Sequence, residues 1–358
     1  MSAAAASSPH ASGSPDDAEL VNRTLDELGG LTAASIADLL RGRDPGGWLW
    51  DLAADYLSRG GKMLRPSLCL ATCRAFGGDV AECLPSAMAI ELLHNAFLIH
   101  DDIADDSLLR RGVPTLHLAA GVPLALNTGD ALAMTALSML EANREPLGAR
   151  LAGRVSREFD VMLRHTLEGQ AIELGWRRDV VTQLSDEDYL DLIMRKTCWY
   201  TTVTPLRVGA IVGSWGRIDP EPMIRFGFYL GAAFQIRDDL LNLRGDEAAY
   251  GKELLGDLYE GKRTLMLIHL LRALDESTRD ELIGGYLTRT RPERSDAQVR
   301  EVLSLMERHG SIEYAAEYAA GIAAAAHDAF ELAFAAAPPS EDRRFVEQLI
   351  AYMLEREL

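Results

Sequence analysis

A chain of 358 residues, 48% apolar and 25% charged, has the makeup of a globular protein with a sizeable core. Its net charge of −18 argues against a nucleic-acid groove. No run approaches the roughly 18 uninterrupted apolar residues of a membrane-spanning helix.

Residues 1–17, "MSAAAASSPHASGSPDD", have no basic start and no long apolar stretch, and read as a disordered tail. From there residues 18–358 read as one all-α domain, a single large helical bundle. Ala, Leu, Glu and Arg are abundant, β-branched runs are short, and helical stretches alternate with Gly/Pro breaks such as "RDPGG", "SRGGKMLRP", "FGGD" and "RRGVP". No alternating strand pattern is found. The Ala-rich stretch 312–358 reads as two packed helices after a loop near 338. The four cysteines, Cys69, Cys73, Cys83 and Cys198, form no CxxC pair and read as buried free thiols, which fits a cytoplasmic setting.

In chain order, "GGKMLRP" offers Lys62 and Arg65, and an apolar helix carries His94. That helix runs into "FLIHDDIADD", which sets Asp101, Asp102, Asp105 and Asp106 within six positions, and Arg110 and Arg111 follow. On a helix Asp101 and Asp105 share one face, with Phe97 one turn back and Ala96 beside it. "RKTCWY" supplies Lys196 and Thr197. "FQIRDDLLN" then echoes the first acidic run, 137 positions later, with Asp238, Asp239 and Asn242; Gln235 lies close by. Lys252 and Lys262 follow in "AYGKE" and "EGKRTL".

Stacked carboxylates repel unless something neutralises them, and hard oxygen ligands select magnesium or manganese. Two such clusters facing each other suit several ions around one polyphosphate, with nearby arginines as phosphate donors. The plainer alternatives are a solvated acidic helix end for one cluster, surface lysines for the cations, and ordinary core packing for His94 and Phe97.

These motifs, in this order, resemble those of the trans-isoprenyl diphosphate synthases, or polyprenyl synthetases, over roughly residues 55–270. The DDxxD-then-RRG pattern is met by Asp101, Asp102, Asp105, Arg110, Arg111 and Gly112. The resemblance implies an isoprenoid-synthase bundle around a central cavity. It also implies a magnesium-dependent prenyl transfer from an allylic diphosphate to isopentenyl diphosphate. Asp101, Asp102 and Asp105 are then expected at two magnesium ions, and Asp238 with Asp239 at a third; manganese is a substitute. Arg110, Lys196 and Lys252 are expected on the allylic diphosphate, and Lys62, Arg65, His94 and Arg111 on isopentenyl diphosphate. Thr197 and Gln235 are expected to line the prenyl group, and Lys262 to close over the site.

Bulk at Phe97 beside the small Ala96 implies a short product, twenty carbons first and fifteen next. A homodimer is expected by the same resemblance. Three positions depart from the common pattern: Met63 for arginine, Asn242 for aspartate and Glu173 for aspartate. The DDxxN form also resembles eukaryotic-type geranylgeranyl diphosphate synthases. A terpene cyclase on the same fold, or a non-catalytic subunit of a partner synthase, are the rivals. The first need not keep the isopentenyl pocket and the second should have lost an acidic motif.

Overall fold

In a computed structural model of the protein, residues 15–244 and 253–354 are described, and they form one helical bundle. Ten helices lead to the second acidic motif: α1 (Pro15–Leu40), α2 (Asp51–Ser58), α3 (Leu64–Ala75), α4 (Val80–Ala104), α5 (Leu116–Ala120), α6 (Val122–Ala142), α7 (Arg144–Arg178), α8 (Asp186–Ile193), α9 (Thr204–Gly213) and α10 (Pro222–Arg244). Helices Ser311–Ala333 and Glu341–Leu354 close the bundle as the expected C-terminal pair, but the loop near 338 lies between them and not before them. Helix α1 begins at Pro15, and Asp17 pairs with Arg344 of the C-terminal helix at 2.5 Å. The expected tail boundary at 17 therefore lies two residues inside a helix.

Helix α4 is the axis. Asp79 caps its start by accepting from the Ala81 amide at 2.9 Å, and residues 86–96 are continuously buried. A helix apolar all round belongs in a core. Its last turn delivers Asp101 and Asp105 to a C-terminus, where the helix dipole already disfavours negative charge. Those carboxylates therefore need cations from elsewhere in the fold.

Helices α8 and α9 are one continuous rod, joined through a π-helical stretch, Met194–Val203. Such wider turns are found often at functional sites, and this one holds Lys196 and Thr197. Helix α7 approaches it closely at Gly169: a Cβ there would sit 2.4 Å from the Lys196 amide nitrogen.

The fold is all-α as expected, with one small strand pairing among the described residues. Leu109–Arg110 and Val113–Pro114 form a small hairpin, turning at Arg111 and Gly112, both at positive φ (56° and 76°). Two-residue turns of this hand favour glycine at the second position. The hairpin is too short to show as alternation, yet it separates the arginines. Arg110 is buried beside α4, while the Arg111 guanidinium lies over Gly61. All four cysteines are free and buried, as expected.

Candidate active site

The bundle encloses a cavity of about 430 Å³. Thirteen of the anticipated residues line it: Lys62, Arg65, His94, Asp101, Asp105, Arg110, Arg111, Lys196, Thr197, Gln235, Asp238, Asp239 and Lys262. They come from the turn before α3, from α3 and α4, the hairpin, the π-helical stretch, α10 and the segment after residue 253. Lys252 lies outside the described residues.

At one side the groups are cationic. The Arg65 guanidinium lies 3.2 Å from His94 Nε2 and donates to Thr201 Oγ1 (3.0 Å) and to the Tyr200 hydroxyl oxygen (3.4 Å). Its Nε is buried with no hydrogen-bond partner among the described residues. A buried donor of this kind is normally satisfied, so it suits an added anion. Lys62 rests over the Tyr352 ring at 4.8 Å. Beneath them Glu91 is a buried carboxylate whose pKa is raised by burial, against the pull of Arg65.

At the other side α4, α7 and α10 bring carboxylates together. Burial raises the Asp101 pKa, and the Asp105 charge adds to this against Lys196. Burial also acts upward on Asp105, but Lys262, Arg177 and Lys196 outweigh it and hold the group below its usual range. Arg177 donates to Asp105 at 2.7 Å, and Lys196 to Glu173 at 2.5 Å. Lys262 bonds Asp257 at 2.9 Å. Asp239 is pushed up to about 8 by burial and the Asp257 charge. Asp101 and Asp238 line the cavity as oxygen ligands, and the Asp101 carboxylate is disfavoured as an anion by burial and by Asp105; a hard divalent cation is the kind of charge that would relieve it.

The two middle aspartates behave differently from expectation. Asp102 does not face the cavity: it is 1% exposed, and its carboxylate accepts from the Tyr56 hydroxyl and from Arg110. Asp239 reaches the cavity wall, but its two oxygens are taken by Tyr189 (2.8 Å) and Gln235 (2.7 Å). Gln235 in turn accepts from the Thr197 hydroxyl at 3.0 Å. Asn242 also turns aside. Its amide oxygen accepts from the Asp257 backbone at 3.0 Å, which anchors the segment carrying Lys262 without adding another buried charge. Met63 lines the cavity as an uncharged side chain.

Neither Ala96 nor Phe97 lines the cavity. Ala96 is fully buried, and Phe97 packs edge-on against Tyr200 at 5.8 Å; Leu98, Tyr200 and Phe234 form the apolar wall. Sequence reasoning missed Glu91, Arg177, Tyr189 and Tyr200. A signal existed for Arg177, which falls one helical turn after Glu173.

The polyprenyl synthetase family model matches residues 47–306. The chain is 33% identical over 306 residues to the short chain isoprenyl diphosphate synthase of Methanothermobacter thermautotrophicus, covering 85% of this chain and 90% of the relative. It is 32% identical over 309 residues to the geranylfarnesyl diphosphate synthase of Aeropyrum pernix, covering 84% and 92%. The crystal structure of geranylgeranyl pyrophosphate synthetase from Pyrococcus horikoshii superposes with a TM-score of 0.80 at 31% identity, over 96% of this chain and all of the other. With its bundle, its paired acidic helices and these relatives, the chain belongs to the polyprenyl synthetase family of prenyltransferases.

Proposed function

We propose that this protein condenses isopentenyl diphosphate with an allylic diphosphate and releases a short-chain prenyl diphosphate and pyrophosphate. The observation that carries this reading is one cavity with both a cationic side (Lys62, Arg65, His94, Arg111) and an acidic side fed by α4 and α10. A cyclase needs the second but not the first.

Asp101, Asp105 and Asp238 are the groups we assign to divalent cations, three magnesium ions in this proposal, with manganese as a substitute. Those ions, when bound, supply positive charge to the departing pyrophosphate. Arg110 and Lys196, with Lys252, hold the allylic diphosphate. Lys62, Arg65, His94 and Arg111 hold isopentenyl diphosphate so that its double bond faces the allylic carbon. The carbon–oxygen bond breaks, the double bond adds to the allylic cation, and a proton leaves to the released pyrophosphate. Fixed charges aimed at the leaving group form the kind of preorganised field that dominates many enzymatic rate enhancements.

For the product we favour twenty carbons, then fifteen. Phe97 behind Tyr200, and Leu98 and Phe234 on the wall, support a short tunnel. The similarity to a geranylfarnesyl diphosphate synthase makes a twenty-five-carbon product the outcome that would displace this assignment. We also propose a homodimer through α6 and α7. Val122, Leu126, Met134 and Leu137 are exposed along α6, and Leu167 is exposed on α7. Large apolar patches of this kind mark interaction surfaces. We place the protein in the cytoplasm on the support of its free thiols. Among the described residues no helix is long and apolar enough to cross a membrane.

The test is a product assay. The purified protein is incubated with magnesium, labelled isopentenyl diphosphate, and dimethylallyl, geranyl or farnesyl diphosphate in turn, and the dephosphorylated products are sized. A twenty-carbon alcohol is expected. Hydrocarbon from the allylic substrate with no isopentenyl diphosphate consumed would make it a cyclase. No turnover would favour a partner-dependent subunit.

A further inference from the structure

The two acidic motifs are wired alike at their middle aspartates. In the first, the Tyr56 hydroxyl donates to Asp102 Oδ2 at 3.0 Å, while Arg110 donates to Asp102 Oδ1, from Nε at 2.9 Å. In the second, the Tyr189 hydroxyl donates to Asp239 Oδ2 at 2.8 Å, while Gln235 donates to Asp239 Oδ1 at 2.7 Å. Each tyrosine is buried and comes from a different helix, α2 for Tyr56 and α8 for Tyr189, 46 and 50 positions from its aspartate. Each aspartate thus has one oxygen held by a tyrosine and the other holding a side chain of the cavity wall.

We propose that Tyr56 and Tyr189 are positioning residues: each clamps the middle aspartate of its motif, and the aspartates aim Arg110 and Gln235 at the substrate instead of binding metal. This rests on the functional reading above for the identity of the substrate. The chemistry is plain. A carboxylate with only one oxygen engaged can rotate about its Cβ–Cγ bond and carry its arginine with it. A hydroxyl on the other oxygen removes that freedom. The ring is buried in any case, so its hydroxyl is the part that couples to the site. Side chains locked by such supporting bonds hold productive geometry far better than free ones.

The test uses Tyr56→Phe, which keeps the ring, and Asp102→Asn, which keeps the shape and removes the charge. Tyr56→Phe raises the KM for the allylic diphosphate about tenfold, the scale of a lost hydrogen bond to a charged group. Neither variant shifts the half-saturating magnesium concentration, whereas Asp101→Asn does. In an Arg110→Gln background the Tyr56→Phe effect disappears, because the relay has lost its far end; a purely structural role would give additive effects. Unchanged allylic KM in a folded Tyr56→Phe overturns the proposal. So does an undiminished effect without Arg110, or a magnesium shift in Asp102→Asn as large as that of Asp101→Asn. Titration calorimetry with inorganic pyrophosphate reads the same relay without turnover. If wild-type protein consumes no isopentenyl diphosphate, the functional reading fails, and the loss of pyrophosphate affinity in Tyr56→Phe still decides this one.

Discussion

Gly169→Ala is the most demanding test of how the helices set the site. A Cβ at 169 would lie 2.4 Å from the Lys196 nitrogen, 2.7 Å from its Cα and 2.8 Å from its Cβ, against 3.4–4 Å for ordinary contact. The nearest atoms are backbone, so no flexible tip can swing away. Helix α7 and the π-helical stretch must separate by about 1 Å. Two effects on stability oppose each other. Alanine gains up to about 1 kcal/mol of helix propensity over glycine, while overpacking costs about 1–3 kcal/mol. The net loss is at most about 2 kcal/mol, a Tm fall of a few degrees in a chain this size.

Catalysis is far less forgiving. A misplacement of about 1 Å at a reacting centre costs about 10²-fold, and Lys196 is the residue displaced, with its Glu173 partner on the moving helix. The expectation is a roughly hundredfold fall in kcat/KM for the allylic diphosphate with a Tm lower by no more than a few degrees. Steady-state kinetics and differential scanning calorimetry read the two quantities. Gly153→Ala is the control: it lies on the same helix with nothing within 4 Å of its added Cβ, and should raise Tm while sparing activity. Wild-type kcat/KM in Gly169→Ala would refute the claim that this close approach fixes Lys196.

Asp101→Asn and Asp238→Asn should each lower turnover by at least about 10²–10³-fold, the scale of removing one preorganised electrostatic contact, while circular dichroism shows an intact fold; near-normal turnover in either would remove that residue from the cation site. Phe97→Ala should lengthen the product by relieving the support behind Tyr200, as read by chromatography of the dephosphorylated alcohols, and an unchanged product would leave chain length to the wall residues Leu98 and Phe234. The pKa of Asp239, raised to about 8 against an ordinary 3.8, fixes a sign for pH dependence. The folded protein keeps this proton after the unfolded chain has lost it, so stability in the presence of chelator should fall as pH rises from 6 to 8. Asp239→Asn should flatten that part of the Tm profile, and an equal slope in both proteins would show that the group does not titrate there.

Much of the site was legible because its chemistry is local. Asp101 and Asp105 share a face through helical periodicity alone, and the apolar run before them marks a helix that must be buried. The repeat of that pattern at Asp238 pointed to two halves of one centre, and the structure brings both into one cavity with Lys62, Arg65, His94 and Lys196. What sequence left open depends on partners distant in the chain. Asp102 looks like any other member of its cluster until Tyr56, 46 positions earlier, takes one of its oxygens. Asn242 reads as a departure from the second acidic motif until the Asp257 backbone N–H, 15 positions later, donates to its amide oxygen. The hairpin at Arg111 and Gly112 carries too few residues for any periodicity, and Glu91 is an ordinary helix residue until folding buries it near Arg65.

By itself the sequence determined the helices, their buried faces and the identity of the ionisable groups, because these follow from spacing within one or two turns. Only the tertiary structure decided which carboxylates face the cavity and which anchor its walls. That choice is made by hydrogen bonds from other helices, and a buried carboxylate turns toward whichever donor packing brings within about 3 Å.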